Sequence, residues 1–241
     1  MAHDDSFPLA EHQACEMLTR LTIEQVPRDG SLGRIRKIRK DVDIWQSEDP
    51  GDRLFFLVRG EVAIYSGDPQ ARDILLQTVS AGEPFGELCF CAEIGGIRNR
   101  VARTSKAATV LEIEYEAFLR YMRTRNDLLA PLVFTICQRL SDCETRTQIL
   151  AQRGAQERVG GLLLQLAAKL RRRGEKRQRK VTLNASHAEI AKLAAMSRSH
   201  VTVTLGRFRS RHLVDYSRDR GLIVDVPALT AYLEGRDTFR S

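Results

Sequence analysis

The chain holds one tryptophan, five cysteines and no histidine between His12 and His187, and no stretch of it approaches the roughly 18 to 20 uncharged apolar residues that a membrane span needs. Each scarcity excludes a class. The cysteines (Cys15, Cys89, Cys91, Cys137 and Cys143) are odd in number and thinly spread, a poor disulfide framework that fits a reducing compartment. Cys89 and Cys91 stand too close for a structural zinc pair, and no metal site is expected. The opening Met-Ala-His-Asp-Asp is acidic where a secretory leader would be basic, so the expectation is a soluble, cytoplasmic protein with no membrane partner.

What the chain does have is charge, unevenly placed. Its 241 residues carry 38 Lys plus Arg and 31 Asp plus Glu, a net of +7. Residues 1–150 hold 19 and 23, a net of −4, whereas residues 151–241 hold 19 and 8, a net of +11. A strongly basic half points to a polyanion, with nucleic acid the first candidate. A merely solvated basic surface would carry the same charge.

Between Gly33 and Ile113, short β-type runs at 35–38, 43–46, 54–58, 61–65, 74–79, 101–104 and 109–114 alternate with glycine breakers such as Gly51, Gly60, Gly82 and Gly86. Regular short strands of this kind imply a sandwich, barrel or roll. Ahead of them, residues 10–24 predict a short helix with Leu18 and Leu21 on its apolar side.

After Tyr115 the period becomes helical. A short segment over 116–123 precedes a long helix that has Pro131 in its first turn and runs to about Arg153. Along it Leu129, Val133, Ile136, Leu140, Cys143, Thr147, Leu150 and Gly154 recur in steps of four and three. Such a heptad seam packs against a second helix, and a symmetric dimer is its simplest supplier. The small Thr147 and Gly154 suit close helix contact; the alternative is that this face packs on its own β domain. Residues 151–155 mark a boundary and a hinge, since Gly154 weakens a helix there. A further helix over 156–170 ends in the basic run Arg171 to Lys180, a solvated loop suited to phosphate contact.

Residues 186–210 carry the sharpest signal. Ser186 and Glu189 form a capping box for a helix with Ile190, Ala191 and Ala194 inward. A turn through Ala195 and Met196 leads to Ser197, the cap of a second helix that buries Val201, Leu205 and Phe208 at i, i+4 and i+7. This pattern is a helix-turn-helix. It leaves Arg198, Ser199, Thr202 and Arg209 exposed, with His200 ambiguous between base reader and surface histidine. Arg198 suits a bidentate bond to guanine, while Ser199 and Thr202 suit a base or a phosphate. Strands over 213–216 and 222–226 around Arg218-Asp-Arg-Gly221 predict a wing, with Arg218, Arg220 and Lys180 near phosphates.

The order of these parts, together with Gly51-Asp-Arg-Leu-Phe-Phe-Leu-Val-Arg-Gly-Glu-Val62, Gly82-Glu-Pro-Phe-Gly-Glu-Leu88 and Arg98-Asn-Arg-Val-Ala-Arg103, resembles the CRP/FNR family of bacterial transcription regulators over about residues 30–230. The resemblance implies an α+β chain: an N-terminal β-roll (a double-stranded, jelly-roll-like β-helix), a long dimerisation helix and a C-terminal winged helix-turn-helix domain. The implied domains are an effector-sensing domain over 1–128, the dimerisation helix and hinge over 129–154, and a DNA-binding domain over 155–241. In cyclic-nucleotide-binding members a glutamate after a Phe-Gly pair takes the ribose hydroxyl and an Arg-Ser pair takes the cyclic phosphate; the matching positions are Glu87, Arg98 and Asn99. Asn99 departs from the usual serine. Cys143 and Glu144 stand where those members place a small hydroxyl pair beside the base, and a carboxylate there opposes a phosphate-bearing ligand. A cyclic nucleotide is thus one candidate effector with two features against it. The lone Cys15 argues against an iron–sulfur cluster, and the absence of an imidazole from the β domain argues against haem. Ser199 and Val203 replace the Glu and Arg usual on the family's recognition helix, so a different DNA target is expected.

The expectation is a homodimeric, sequence-specific transcription regulator, not an enzyme, whose partners are double-stranded DNA, a second copy of itself and RNA polymerase. Effector occupancy would reorient the DNA-binding domains about residues 150–156, which requires differential affinity for two arrangements. One alternative is an effector-independent regulator, or one controlled by cysteine oxidation with Cys143 meeting its symmetry mate. A cupin-type metalloenzyme is a remote alternative, since it needs clustered histidines and residues 31–113 contain none.

Overall fold

Six strands form the sheet of the N-terminal region: β1 (Arg34–Ile38), β2 (Asp43–Trp45), β3 (Arg53–Ser66), β4 (Leu75–Ser80), β5 (Pro84–Phe85) and β6 (Arg100–Glu114). The structure is a computed structural model and describes residues 20–67, 74–87, 96–171, 179–217 and 221–235. The sheet runs β1-β6-β3-β4, with β2 beside β6 and β5 beside β3. β1 and β6 pair antiparallel with Arg34 opposite Glu112 and Ile38 opposite Ala108. Two strands are longer than the sequence predicts. The runs 54–58 and 61–65 are one strand, because Gly60 does not end it: at φ +97° it keeps the chain in the sheet, and a Cβ there would lie 2.3 Å from the Ala107 carbonyl oxygen. Likewise 101–104 and 109–114 merge into β6.

The chain divides into two compact units. The first takes in the described residues up to Val62, Val79–Arg98 and Arg103–Gln138; the second takes in the described parts of Ala63–Thr78, Asn99–Ala102 and the residues from Arg139. Leu54, Phe56, Leu111, Ile113, Phe118 and Leu128 form the core of the first, with α1 (Tyr115–Arg123) supplying Phe118. Of the helix predicted over 10–24, residues 10–19 lie outside the described ones, and the remainder shows only a 3₁₀ turn at Ile23–Gln25. The Leu21 amide donates to Thr135 Oγ1 at 3.0 Å and to the Pro131 carbonyl at 3.3 Å, not back along a helix. Helix α2 (Leu129–Ala151) ends two residues before the predicted Arg153, so Gly154 lies off its face in the link to α3.

The second unit contains α3 (Ala155–Arg171), β7 (Lys180–Leu183), α4 (His187–Ala194), α5 (Arg198–Ser210), β8 (Val214–Ser217), β9 (Gly221–Asp225) and α6 (Val226–Leu233). Its core joins Val159, Leu162 and Leu163 of α3 to Ile190 and Ala194 of α4 and Val201, Leu205 and Phe208 of α5. Each of the larger of these side chains, Ala194 aside, contributes about 1.5–3 kcal/mol by leaving water. The wing is a three-stranded sheet in the order β7-β9-β8, not the two strands read from the sequence. β7 begins at Lys180, the last residue of the run taken as a loop, and continues beyond it, with buried Val181 and Leu183 alternating with exposed Lys180 and Thr182. Helix α6 was also not expected. Asp225 caps it by accepting from the Ala228 amide at 3.1 Å, with Pro227 in its first turn.

Candidate nucleic-acid interface

The helix-turn-helix is built by two caps and one left-handed residue. Ser186 Oγ accepts from the Glu189 amide at 3.2 Å while the Ser186 amide donates to Glu189 Oε2 at 2.7 Å, the reciprocal box that starts α4. Ala195 turns the chain at φ +50° and ψ +49°. Ser197 Oγ then accepts from the His200 amide at 3.3 Å and lies 3.0 Å from Ser199 Oγ, starting α5. Val201, Thr204, Leu205 and Phe208 are buried, and Thr204 satisfies its hydroxyl on the His200 carbonyl at 2.8 Å.

Opposite that buried stripe lies an outward ridge. At 3.6 residues per turn, Ser199, Val203, Gly206 and Ser210 fall within about 60° of one another on the far side. All are exposed, Val203 by 55%. Arg198, Thr202 and Arg209 flank the ridge on one side, His200 and Arg207 on the other, and all are exposed. Ser197 and Lys180 are exposed too. The sequence predicts Arg198, Ser199, Thr202 and Arg209 outward, which is where they lie; it marks Val203 only as a departure from the family's usual recognition helix and gives Arg207 no role. It also passes over His187. That imidazole lies at the start of α4 with Nδ1 3.1 Å from Thr202 Oγ1, and its ring meets Tyr216 of β8 edge-on at 5.2 Å. Burial, and secondly the Arg198 guanidinium, push its pKa below the usual 6.5, so it is held neutral. Three elements of the motif thus meet at one side chain. Arg209 stands over the Tyr216 ring at 5.0 Å and 3.5 Å from Asp215. The predicted wing-tip residues Arg218 and Arg220, and residues 172–178 of the basic run, lie outside the described residues.

On α2, Leu129, Val133, Ile136 and Leu140 are 59, 50, 42 and 60% exposed. Cys143 and Thr147 continue this exposed face and Leu150 is half-buried. The other side of the helix is the one that packs: Thr135 is buried, and its hydroxyl donates to the Pro131 carbonyl at 2.8 Å.

The residues expected at an effector site are distributed as follows. Glu87 is half-buried; Asn99, Cys143 and Glu144 are exposed. Arg98 is only 7% exposed. Its Nη1 donates to the Gly86 carbonyl at 3.0 Å and its Nη2 to the Arg53 carbonyl, and its guanidinium lies 4.5 Å from the centroid of the Trp45 ring. Trp45, Phe55 and Phe85 stack on one another at 5.1–5.6 Å. In this arrangement Arg98 is a strut between backbone carbonyls and an aromatic stack, which does not fit the fork onto a cyclic phosphate. Cys15, Cys89 and Cys91 lie outside the described residues, and among the described residues no group of three or more His, Cys, Asp or Glu side chains gathers to hold a metal.

Comparison with known proteins supports the same two-part architecture. A family model for a cyclic nucleotide-binding domain matches residues 35–125, and one for a Crp-like helix-turn-helix domain matches residues 157–232. A CRP-like cAMP-activated global transcriptional regulator of Mycobacterium tuberculosis is 27% identical over 221 residues, covering 87% of this chain and 95% of that protein. Among solved structures, the c-di-GMP responsive global regulator CLP of Xanthomonas campestris aligns with a TM-score of 0.63 at 21% identity, over 80% of this chain and 93% of its own. A CooA variant from Carboxydothermus hydrogenoformans aligns with a TM-score of 0.69 at 18% identity, over 83% and 88%. The two family models, matching the β domain and the helix-turn-helix domain on either side of the long helix, together with the CRP-type relatives, place the chain in the CRP/FNR family of DNA-binding transcription regulators, which are not enzymes.

Proposed function

We propose that this chain acts as a homodimer that reads a roughly palindromic DNA site with α5 and answers to a small effector on its β domain. The observation that carries dimerisation is the row of four exposed apolar side chains on α2, spaced as a coiled-coil seam, since so much apolar surface on one helix face is stable only when covered. Val133, Ile136, Leu140, Cys143, Thr147 and Leu150 form the seam. In the DNA complex Arg198, Ser199 and Thr202 contact base edges, while Ser197, His200, Arg209, Lys180, Arg218 and Arg220 hold phosphates. Residues 1–128 sense, 129–154 dimerise and hinge, and 155–241 bind DNA. Reorientation of the DNA-binding domains takes place about 150–156, where α2 and α3 are separated by Gln152-Arg153-Gly154. RNA polymerase is the partner at the promoter. The relatives named above are described as responding to cAMP and to c-di-GMP, so the effector differs within one fold.

Sedimentation of the full chain tests the dimer. Leu140→Glu is expected to yield monomers that bind operator DNA at least tenfold more weakly; a variant that stays dimeric would remove the seam from this role. A second reading, effector-independent control, is favoured by the engagement of Arg98 within the domain and by the exposed thiols of Cys137 and Cys143. DNA affinity of the ligand-free protein with and without reductant separates the two. Tight binding that ignores both effector and reductant would leave no switch.

A further inference from the structure

We infer that Val203 reads thymine through its 5-methyl group, so that one thymine in each half-site is recognised by shape and apolar contact in place of a hydrogen bond. This rests on the assignment of α5 to the major groove. The outward ridge of α5 contains two hydroxyls, one glycine and one apolar side chain, and Val203 is that apolar one, 55% exposed on the helix of a strongly basic half. A solvated isopropyl group with no donor or acceptor gains nothing in the free protein. Among the base edges in the major groove, the thymine methyl is the single apolar group it can match.

Two neighbours sharpen the reading. Gly206, one turn further along the same ridge, is exposed, and a Cβ built there meets nothing within 4 Å, so the protein's own packing does not require a glycine. A glycine inside a helix is disfavoured against alanine, and at this place it lets the ridge come close to an outside surface. Thr202, on the flank, has its hydroxyl oxygen 3.1 Å from His187 Nδ1, so this hydroxyl is already partly engaged within the protein. The charged groups Arg198, Arg207 and Arg209 stand to either side, placed for phosphates or for bases beyond the centre. The centre of the interface is therefore smooth and uncharged, and its discrimination rests on fit.

The test uses the full chain and a duplex that it enriches from a random pool. Each thymine is replaced in turn by deoxyuridine, which removes only the methyl group. At one position of each half-site the affinity is expected to fall about fourfold, the worth of one buried methyl. Val203→Ala is expected to bind the thymine duplex more weakly by a similar factor and to ignore deoxyuridine at that position, while Val203→Ile keeps the sensitivity. Both variants should melt with the parent, since the side chain is exposed. Deoxyuridine without effect at every position, or an equal loss in Val203→Ala and parent, would overturn the assignment while leaving DNA reading intact. Failure to enrich any sequence would overturn DNA reading by α5, and this inference with it.

Discussion

Arginine is used in opposite ways at two places in the molecule, the interior of the β domain and the outer face of α5. In the β domain it is turned to structural ends: Arg98 bridges backbone carbonyls beneath Trp45, and Arg34, Arg36 and Arg53 converge on the buried carboxylate of Glu112. On α5, which contains no carboxylate, Arg198 and Arg207 lie on the surface, and Arg209 is exposed beside Asp215 of β8 at 3.5 Å. The net charges of −4 and +11 follow the same division. A cation neutralised by its own fold is unavailable to a polyanion; one left in solvent can release counterions when it meets phosphate. The contrast supports the proposed DNA contact on α5 more directly than the total charge does.

The sharpest way to break this comparison is to remove the carboxylate that holds three arginines. Arg34 Nη2 and Arg36 Nη1 lie 3.0 and 2.9 Å from Glu112 oxygens, and Arg53 donates to the same group. Burial, the largest single influence on Glu112, acts to raise its pKa, but the hydrogen bonds from Arg34, Arg36 and Arg53 together outweigh it and hold the pKa at about 2. Glu112→Gln is expected to cost about 3 kcal/mol or more in denaturant unfolding and leave sequence preference on DNA unchanged. The folded pKa lies below the unfolded value, so the stabilisation by Glu112 is complete above about pH 4.5 and is lost as pH falls through about 2. A change of base preference in this variant would dissolve the division between the halves.

The complementary variant lies on α5. Arg198→Ala is expected to lose about 1–3 kcal/mol of binding to the selected site, with relaxed preference at one base and an unchanged melting temperature. Equal loss on specific and random DNA would restrict Arg198 to a phosphate.

The helix-turn-helix was legible in the sequence because its determinants are local. Ser186 with Glu189, Ser197, and the spacing of Val201, Leu205 and Phe208 act over a few residues, and these contacts form as spacing predicts. The strands were legible as segments, but their lengths were not: whether Gly60 breaks a strand or bends it depends on Ala107, 47 positions away. β7 was hidden because its first residue, Lys180, reads as the end of a basic loop and the three residues after it are too few to signal a strand until β9 supplies a partner. The direction of Arg98 was not legible either. A motif fixes the residue, and only packing around Trp45 decides whether its guanidinium faces a ligand or the chain's own carbonyls.

Smaller effects probe the junction at His187. Its pKa is lowered on folding, so the unfolded chain takes the proton first; stability is complete above pH 6.5 and declines as pH falls below it. A pH series of melting temperatures is expected to slope less between pH 7 and 5 in His187→Gln than in the parent, and parallel curves would assign the slope to other groups. The smallest effect is expected at Ala195, whose left-handed backbone costs an alanine more than a glycine. Ala195→Gly should gain about 0.5 kcal/mol of stability by thermal unfolding without altering DNA affinity.

In the proposed dimer, two copies of α5, paired through α2, read one duplex. Selection from a random DNA pool with the full chain, followed by footprinting of the enriched duplex, measures this most directly. An inverted repeat with half-sites one helical turn apart, about 34–36 Å, and equal protection of both is expected. Enrichment of a single asymmetric half-site, protected on one side only, would contradict it.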